Sequence, residues 1–389
     1  MSTESLQSIS NSGLTNFTEN IGKITKNITD QFAFYIITVM IIIILIFYII
    51  YLIYVNNLSK TECNNMNNLY SSVNGNIKSI NSNNPDCSGN LCQYYIKTAY
   101  NACSGGNYTN DVVDICNLKA VLKTGARCLD FEIYSINNQP VVATSIEDSY
   151  YVKQTYNSVD FSEVMSVIQS YAFASGTAPN YTDPLIIHLR IKSNNQNMYT
   201  NLASIFKSYD SLMLGKEYSF ENQNTNFGNV PLLKLTNKIV LIVDGSNKSY
   251  LDNNDLLEYI NITSNSAFMY IYDTNTITND IVPKELIDHN ISNMSLVVPS
   301  NSKNPQNPSG LQCYTYGCQF VAMRYQLYGD NNLAENNTFF NEKGYAFVVK
   351  PPNLRNPLIS NIVPAATPQN PAYSYETRNV TTDYYSFNF

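Results

Sequence analysis

Two acids set two residues apart, Asp130 and Glu132 in TGARCLDFEIYSINNQPVVATS (residues 124–145), are the side chains of this chain best placed to do chemistry. On a β-strand successive side chains alternate between faces, so both carboxylates project to the same side and can hold a hard cation. After a turn at Asn137-Asn138 and a Pro-Val-Val run come Thr144 and Ser145, with no titratable group where a proton carrier would complete a site. A second strand-like run, PLIIHLRI (184–191), puts His188 and Arg190 on one face by the same parity. The one other histidine, His289, precedes Asn290 and carries no partner that suggests chemistry. Cys313 and Cys318 lack the second close pair and the nearby histidine that a zinc site needs.

These residues sit in a regular series of short apolar runs: 94–99, 127–134, 184–191, 238–243, 267–272, 294–299, 318–326 and 345–350. Each is rich in β-branched or aromatic residues and bounded by Asn, Gly, Pro or Asp, the signature of strands. Between several of them, as at 113–124 and 161–173, apolar residues recur at helical spacing. Eight strands with intervening helices predict an α/β fold, a (β/α)8 barrel of the TIM type. A doubly wound open sheet is disfavoured because no glycine-rich loop joins a strand to a helix.

Ahead of the barrel, residues 32–55 form a charge-free apolar stretch, roughly 36 Å long as a helix, which spans a hydrocarbon core of about 30 Å. It is too long, and lies too far from the start, to suit a cleaved signal peptide. The expected layout is a polar tail over 1–31, a single transmembrane helix over 32–55 that engages the lipid bilayer, a tether over 56–93, a barrel over 94–355 and a C-terminal tail over 356–389. Lys23 and Lys26 precede the span and Lys60 follows it, which favours a cytoplasmic N-terminus and an extracytoplasmic barrel. All eight cysteines lie on the barrel side of the span, compatible with disulfides in an oxidising space. Asn107, Asn180 and Asn261 open glycosylation sequons, of a kind that chance supplies in an Asn-rich chain. Net charge is −7 with 14% charged residues and no basic patch, which excludes nucleic acid as a partner. The absence of Trp beside abundant Asn, Ile, Lys and Tyr reads as the imprint of an AT-rich genome.

Together these motifs resemble both halves of the catalytic barrel of phosphoinositide-specific phospholipase C. TAYNACSGG resembles the opening strand, and the 124–145 segment the strand that bears calcium ligands. DHNISNMSLVVP is similar to the sixth strand, and YGCQFVAMRYQLYGDNN with FFNEKGYAFVVKPPNLR to the last two. The resemblance implies a calcium-assisted phosphodiesterase using two histidines, one as base and one as acid. This chain has Tyr100 and Thr144 at those positions, and neither a phenol nor a hydroxyl exchanges protons near neutral pH as imidazole does. Asn101, Asp130 and Glu132 match calcium ligands, with the Asp/Glu order reversed, but the remaining carboxylate is replaced by Arg190. A guanidinium about 4 Å from a divalent ion repels it by about 8 kcal/mol at an effective dielectric near 20. Calcium loss is therefore expected, with Arg190 bridging the two acids in its place. Leu296 and Val298 replace headgroup-binding Arg and Tyr, and no lysines follow Val243.

The expected function is a membrane-anchored pseudoenzyme, its barrel kept as a binding or structural module for a protein or surface partner. The anchor, the composition and similarity to phospholipase C-like proteins of large DNA viruses extend this to a viral particle membrane. The competing expectation is a divergent phosphodiesterase using His188. It requires an open pocket holding His188 and at least one carboxylate not paired with Arg190. In a barrel packed with side chains, His188 is more simply a satisfied interior residue.

Overall fold

The computed structural model describes residues 3–72, 75–146, 151–355 and 379–388. In chain order the strands are β1 (Tyr94–Ala99), β2 (Cys128–Ile136), β3 (Gln139–Ala143), β4 (Val159–Asp160), β5 (Leu185–Ile191), β6 (Ile239–Asp244), β7 (Ile262–Ser264), β8 (Met269–Asp273), β9 (Met294–Val298), β10 (Phe320–Met323) and β11 (Phe347–Val349). β1, β2 and β5 to β10 run parallel in the order β7-β6-β5-β2-β1-β10-β9-β8. β7 and β8 follow one another in the chain and pack side by side at the seam, so the eight strands make a near-closed, TIM-like barrel. LIIHLRI and IVLIVD are almost wholly buried, as expected of parallel strands covered on both faces. Asp130, Glu132 and His188 are the buried polar or charged side chains on β2 and β5, with Arg190 partly exposed beside them.

Two strand assignments change. The 345–350 run supplies β11, which pairs antiparallel with β1 (Tyr94 opposite Val349, Ile96 opposite Phe347) and is not a barrel stave. The missing stave is β7, the three residues ITS, which makes MSLVV of β9 seventh and not sixth. Three residues fall below the run of four or more on which alternation can be read, so the pattern did not reveal it. The turn at Asn137-Asn138 closes the β2–β3 hairpin with both residues at positive φ, 51° and 64°, as a two-residue turn of the I′ kind requires.

The N-terminal segments also differ from expectation. Residues 1–31 and 56–93 were expected as a tail and a tether, yet one helix, α1 (Thr3–Leu69), runs through the apolar stretch and beyond it on both sides. Helix propagation is cooperative, so a strong apolar centre carries polar flanks with it when tertiary contacts hold one end. Its Gln31–Leu69 part is long and apolar enough to cross a membrane. The large apolar side chains from Phe32 to Tyr54 lie exposed.

Below that stretch α1 docks beside α2 (Ile115–Lys123). Leu58 and Met66 are buried there. Ser59 Oγ donates to Asp114 Oδ2 at 2.5 Å, while Asp114 Oδ1 caps α2 through the Cys116 amide at 2.8 Å. Cys63 and Cys116 form a disulfide with Cα atoms 5.7 Å apart. The other six cysteines are free and buried, so the framework is one bridge and not a network. Ile77, Ile80 and Leu91 continue the docking into the core. Within 356–389, residues 356–378 and 389 lie outside the described residues; β12 (Asn379–Thr381) and β13 (Ser386–Asn388) form a small exposed hairpin. Two sequon asparagines are inaccessible to a glycosyltransferase: Asn180 and Asn261 are buried, with their amides donating to Gly125 O and Tyr218 O.

Candidate functional site

Register brings the acids and bases together. β2 and β5 pair so that Asp130 stands opposite His188 and Glu132 opposite Arg190, all four with the parity that faces the barrel interior. Arg190 reaches across from its strand's carboxyl end. Its Nε donates to Asp130 Oδ2 at 3.0 Å, Nη1 to Glu132 Oε1 at 2.7 Å, and Nη2 to Asp130 Oδ1 at 2.7 Å and Asn101 Oδ1 at 2.8 Å. The guanidinium also lies over the Tyr100 ring, 4.4 Å from its centroid. Planar, with five donors in a fixed fork, it matches several acceptors at once where a lysine would match one.

Electrostatics follow from this geometry. Burial pushes the Asp130 carboxyl up, but Arg190 and the His188 hydrogen bond together outweigh it and hold it well below the usual carboxylate range. Burial likewise works against the charge on Arg190, and Asp130, Tyr100 and Glu132 more than restore it. Glu132 Oε2 is taken by the Tyr134 hydroxyl at 2.8 Å and the Ser145 amide at 3.0 Å. Asn101, at φ 45°, gives its backbone N–H to Asp130 Oδ1, and its side-chain nitrogen has no partner.

A calcium ion does not fit this donor set. Each oxygen that would ligate it from Asn101 or Asp130 already accepts from Arg190, and both oxygens of Glu132 are engaged. Entry of the ion would require the guanidinium to leave two buried carboxylates. Among the described residues no other group of three or more His, Cys, Asp or Glu side chains is placed to hold a metal.

The residues at the positions matched to proton carriers are Tyr100 and Thr144. Burial raises the Tyr100 hydroxyl well above its ordinary value, against the pull of Arg190. Thr144 is buried and its hydroxyl donates to Tyr108 O at 3.1 Å. His188 is buried too, with Nδ1 2.7 Å from Asp130 Oδ2 and Nε2 2.9 Å from Ser264 Oγ. Ionised Asp130 can only accept, so Nδ1 carries the proton. Ser264, His188 and Asp130 thus line up as nucleophile, base and orienter would. Yet Ser264 is fully buried and neither it nor His188 lines the cleft, so no substrate carbonyl or phosphorus can reach the hydroxyl. His289 stacks on Tyr270 with ring centroids 3.8 Å apart and lies 3.0 Å from Met294 O through Nε2, away from this cluster.

The cleft above the cluster has a volume of about 360 Å3 and opens at the carboxyl ends of the strands. Tyr100, Glu132 and Arg190 form part of its wall; Tyr151, Lys192, Asp244, Asn265, Asp273, Val298 and Asn301 are among the rest. Several of these went unrecognised in the sequence because they sit on loops and strand tips with no motif around them. Strand ends followed by Asp, as at Asp244 and Asp273, were the one available signal. Val298 stands in the wall, whereas Leu296 is buried in the core. Arg324, just after β10, was missed as well: it ties Asn304, Pro305 and Gly106 together and lies over the Tyr108 ring at 4.7 Å, fixing the rim.

Fold and site together define a TIM-like α/β barrel with a polar cleft at the carboxyl ends of its strands. Residues 87–244 match the X domain of phosphatidylinositol-specific phospholipase C and residues 254–353 match the Y domain. The chain belongs to that family and carries both halves of its catalytic barrel. Among solved structures it is similar to PLC21 of L. pealei, at 16% identity and a TM-score of 0.56, and to PLC21 of S. officinalis, at 17% and 0.54. Each comparison covers 69% of this chain and 38% of the other, so the chain matches well under half the length of those proteins. At such identity the likeness concerns the fold. No curated protein matches the chain.

Proposed function

We propose that this protein is a membrane-anchored, non-hydrolytic member of the family whose barrel serves as a binding or structural module. One observation carries the reading: Arg190 occupies the oxygen cage of Asn101, Asp130 and Glu132, as an internal cation in place of calcium. Without the ion, nothing lowers the pKa of an attacking hydroxyl, and Tyr100 and Thr144 cannot carry its proton. Each lost proton carrier is worth on the order of 10² to 10⁴ in rate. The competing hydrolase needs an accessible His188 and a carboxylate free of Arg190; His188 is buried, and both carboxylates bond the guanidinium.

The anchor rests on the apolar stretch of α1, whose large apolar side chains from Phe32 to Tyr54 are exposed. Exposed apolar surface of that extent is tolerated in lipid, not in water. Whether the anchored barrel stands on a cell surface or on the membrane of a viral particle is decided by proteomics of purified particles. The hydrolytic question is tested with the full chain reconstituted in vesicles containing phosphatidylinositol and its phosphorylated forms, with and without calcium. No release of inositol phosphates is expected, and calcium-dependent release that is lost in His188→Ala would overturn the reading.

A further inference from the structure

Nine Asn-X-Ser/Thr sequons follow the apolar stretch of α1, and the fold sorts them by whether their side chains have room for a sugar. Asn180, Asn261, Asn290 and Asn336 are at most 3% exposed, so the folded chain cannot carry a glycan there. Asn247 follows β6, and its amide donates to Ile191 O, Ser193 O and the Tyr199 hydroxyl. Asn293 is half-buried, with its Oδ1 accepting from Asn226. Asn107 lies in the rim loop, where its sequon partner Thr109 is buried along with Tyr108 between them. Asn57 is exposed but helical, close behind Tyr54 at the end of the apolar stretch, and the hydroxyl of its partner Ser59 is given to Asp114.

Asn379 differs on each count. It opens Asn379-Val380-Thr381 on β12, in a C-terminal hairpin that is exposed from Asn379 to Asn388. Residues two apart on a strand share a face, so Asn379 and Thr381, the two side chains that a sequon needs, stand together. Ser386 completes that face from β13. It pairs with Thr381, the two hydroxyls 3.1 Å apart, and donates to Asn379 Oδ1 at 3.2 Å. The bond engages the oxygen of the Asn379 amide; among the described residues nothing bonds its nitrogen, the atom that takes a sugar.

We propose that Asn379 is an N-glycosylation site, and the one sequon that carries a glycan in the folded chain. The assignment rests on the anchored reading, with the barrel on the side of the membrane away from Lys23 and Lys26. The co-substrate class is a lipid-linked oligosaccharide held by a membrane-bound transferase. The Asn379 amide nitrogen attacks the anomeric carbon, the bond from that carbon to the lipid diphosphate breaks, and the amide proton passes to a carboxylate of the transferase. Nothing is oxidised or reduced. A nascent chain can be modified before it folds, but a hydrated sugar on Asn180 or Asn261 would have to be desolvated, and the amide's bonds to Gly125 O or Tyr218 O given up, for the barrel to close. Chains modified there do not complete the fold, whereas chains modified at Asn379 do.

The full chain would be expressed in cultured eukaryotic cells and its mobility compared before and after peptide N-glycosidase F. Mass spectrometry of the aspartate that this enzyme leaves in heavy-oxygen water locates the modified residue. The expected result is a single glycan, at Asn379, lost entirely in Asn379→Gln and Thr381→Ala and kept in Thr381→Ser. These positions lie outside the barrel, so loss of the glycan is not loss of the fold. Protease added to sealed microsomes separates two kinds of failure. An unglycosylated chain whose barrel is protected overturns the site and leaves the orientation intact, and so does a glycan at another sequon in place of Asn379 or beside it. A barrel digested in sealed microsomes overturns the orientation, and the site with it.

Discussion

Arg190→Met tests the internal-cation reading at its centre. It removes the charge and every guanidinium hydrogen bond while keeping an unbranched side chain of similar reach, leaving Asp130 and Glu132, 0% and 2% exposed, without their cation. Removing one partner from a buried ion pair costs about 3–5 kcal/mol, because the remaining charge stays buried and unpaired. The loss should sit at the upper end of that range here, since two carboxylates are stranded side by side. Arg190→Lys keeps the charge but not the fork, and should lose roughly half as much. The pH profile separates lost charge from lost packing. In the parent chain the Asp130 carboxyl is depressed, so its contribution is complete above the unfolded value of about 3.9 and disappears as pH falls through the lower folded value. In Arg190→Met burial prevails at Asp130, whose carboxyl then titrates higher in the folded state than in the unfolded one, and stability falls as pH rises from about 4 toward neutrality. Urea unfolding followed by tyrosine fluorescence between pH 4 and 8 measures both profiles. Calcium should raise the midpoint of the variant, whose oxygen cage is vacated, and leave the parent unchanged. A loss under about 1 kcal/mol, or calcium stabilisation of the parent, would refute the reasoning.

Three further outcomes follow from the same contacts. Cys63→Ser opens a loop with a sequence separation of 53 residues and should cost about 4 kcal/mol on the chain-entropy estimate, read as a fall in unfolding midpoint that reducing agent reproduces in the parent and not in the variant. Lys97 is fully buried with its ammonium donating to Thr124 O, and burial lowers its pKa to about 7. The unfolded chain therefore binds the extra proton between pH 7 and about 10, and any stability advantage of Lys97→Met over the parent should shrink by on the order of 2 kcal/mol from pH 7 to 9; a constant difference would mean that Lys97 is solvated. Expressed through a secretory pathway, the chain should carry no glycan at Asn180 or Asn261, and occupancy found there by mass spectrometry of folded protein would contradict their burial.

How much of this was legible beforehand depended on whether a residue's role followed from strand parity. Asp130, Glu132, His188 and Arg190 could be placed on a common interior face from alternation alone, since a strand offers two faces and one of them is the barrel's inside. The bridging of Asp130 and Glu132 by Arg190 was expected from the family resemblance and not from parity, because register is fixed by packing of the whole barrel and not by either strand. β7 escaped because ITS is too short to show a period, and β11 passed for a stave because an antiparallel strand has the same composition as a parallel one. The docking of α1 was invisible for another reason: Leu58, Cys63 and Met66 are spaced by five and three residues in a polar stretch, too few to mark a helix face. The second side of the cluster, Tyr134 and the Ser145 amide on Glu132, belongs to a hairpin whose geometry only the turn at positive φ reveals.

The charge left for a ligand argues in the same direction as the lost histidines. Arg190 is the strongest cation in the cleft wall, but its charge is already balanced by Asp130 and Glu132, so the cluster presents no net positive charge to an entering group. Among the described residues Lys192 is the one lysine lining the cleft, against Asp244 and Asp273 on its rim. Asp244 is held in place by the Ser246 amide and hydroxyl and by Asn265, all through Oδ1, and Asp273 by the Thr276 amide. A phosphorylated headgroup, with two or more negative charges, would meet Asp244 where the family's resemblance implies lysines, and Val298 where it implies a headgroup-binding Tyr. Like charges at about 4 Å cost on the order of 4 kcal/mol each at an effective dielectric near 20, comparable to the whole binding energy of a millimolar ligand. What the wall does offer, amides at Asn265 and Asn301, carboxylates, and the rings of Tyr100 and Tyr151, is the equipment for hydroxyl-rich uncharged groups. On this reading Asp244 and Asp273, set against Lys192, make the cleft a poorer fit for a phosphorylated group than for an uncharged, hydroxyl-rich one.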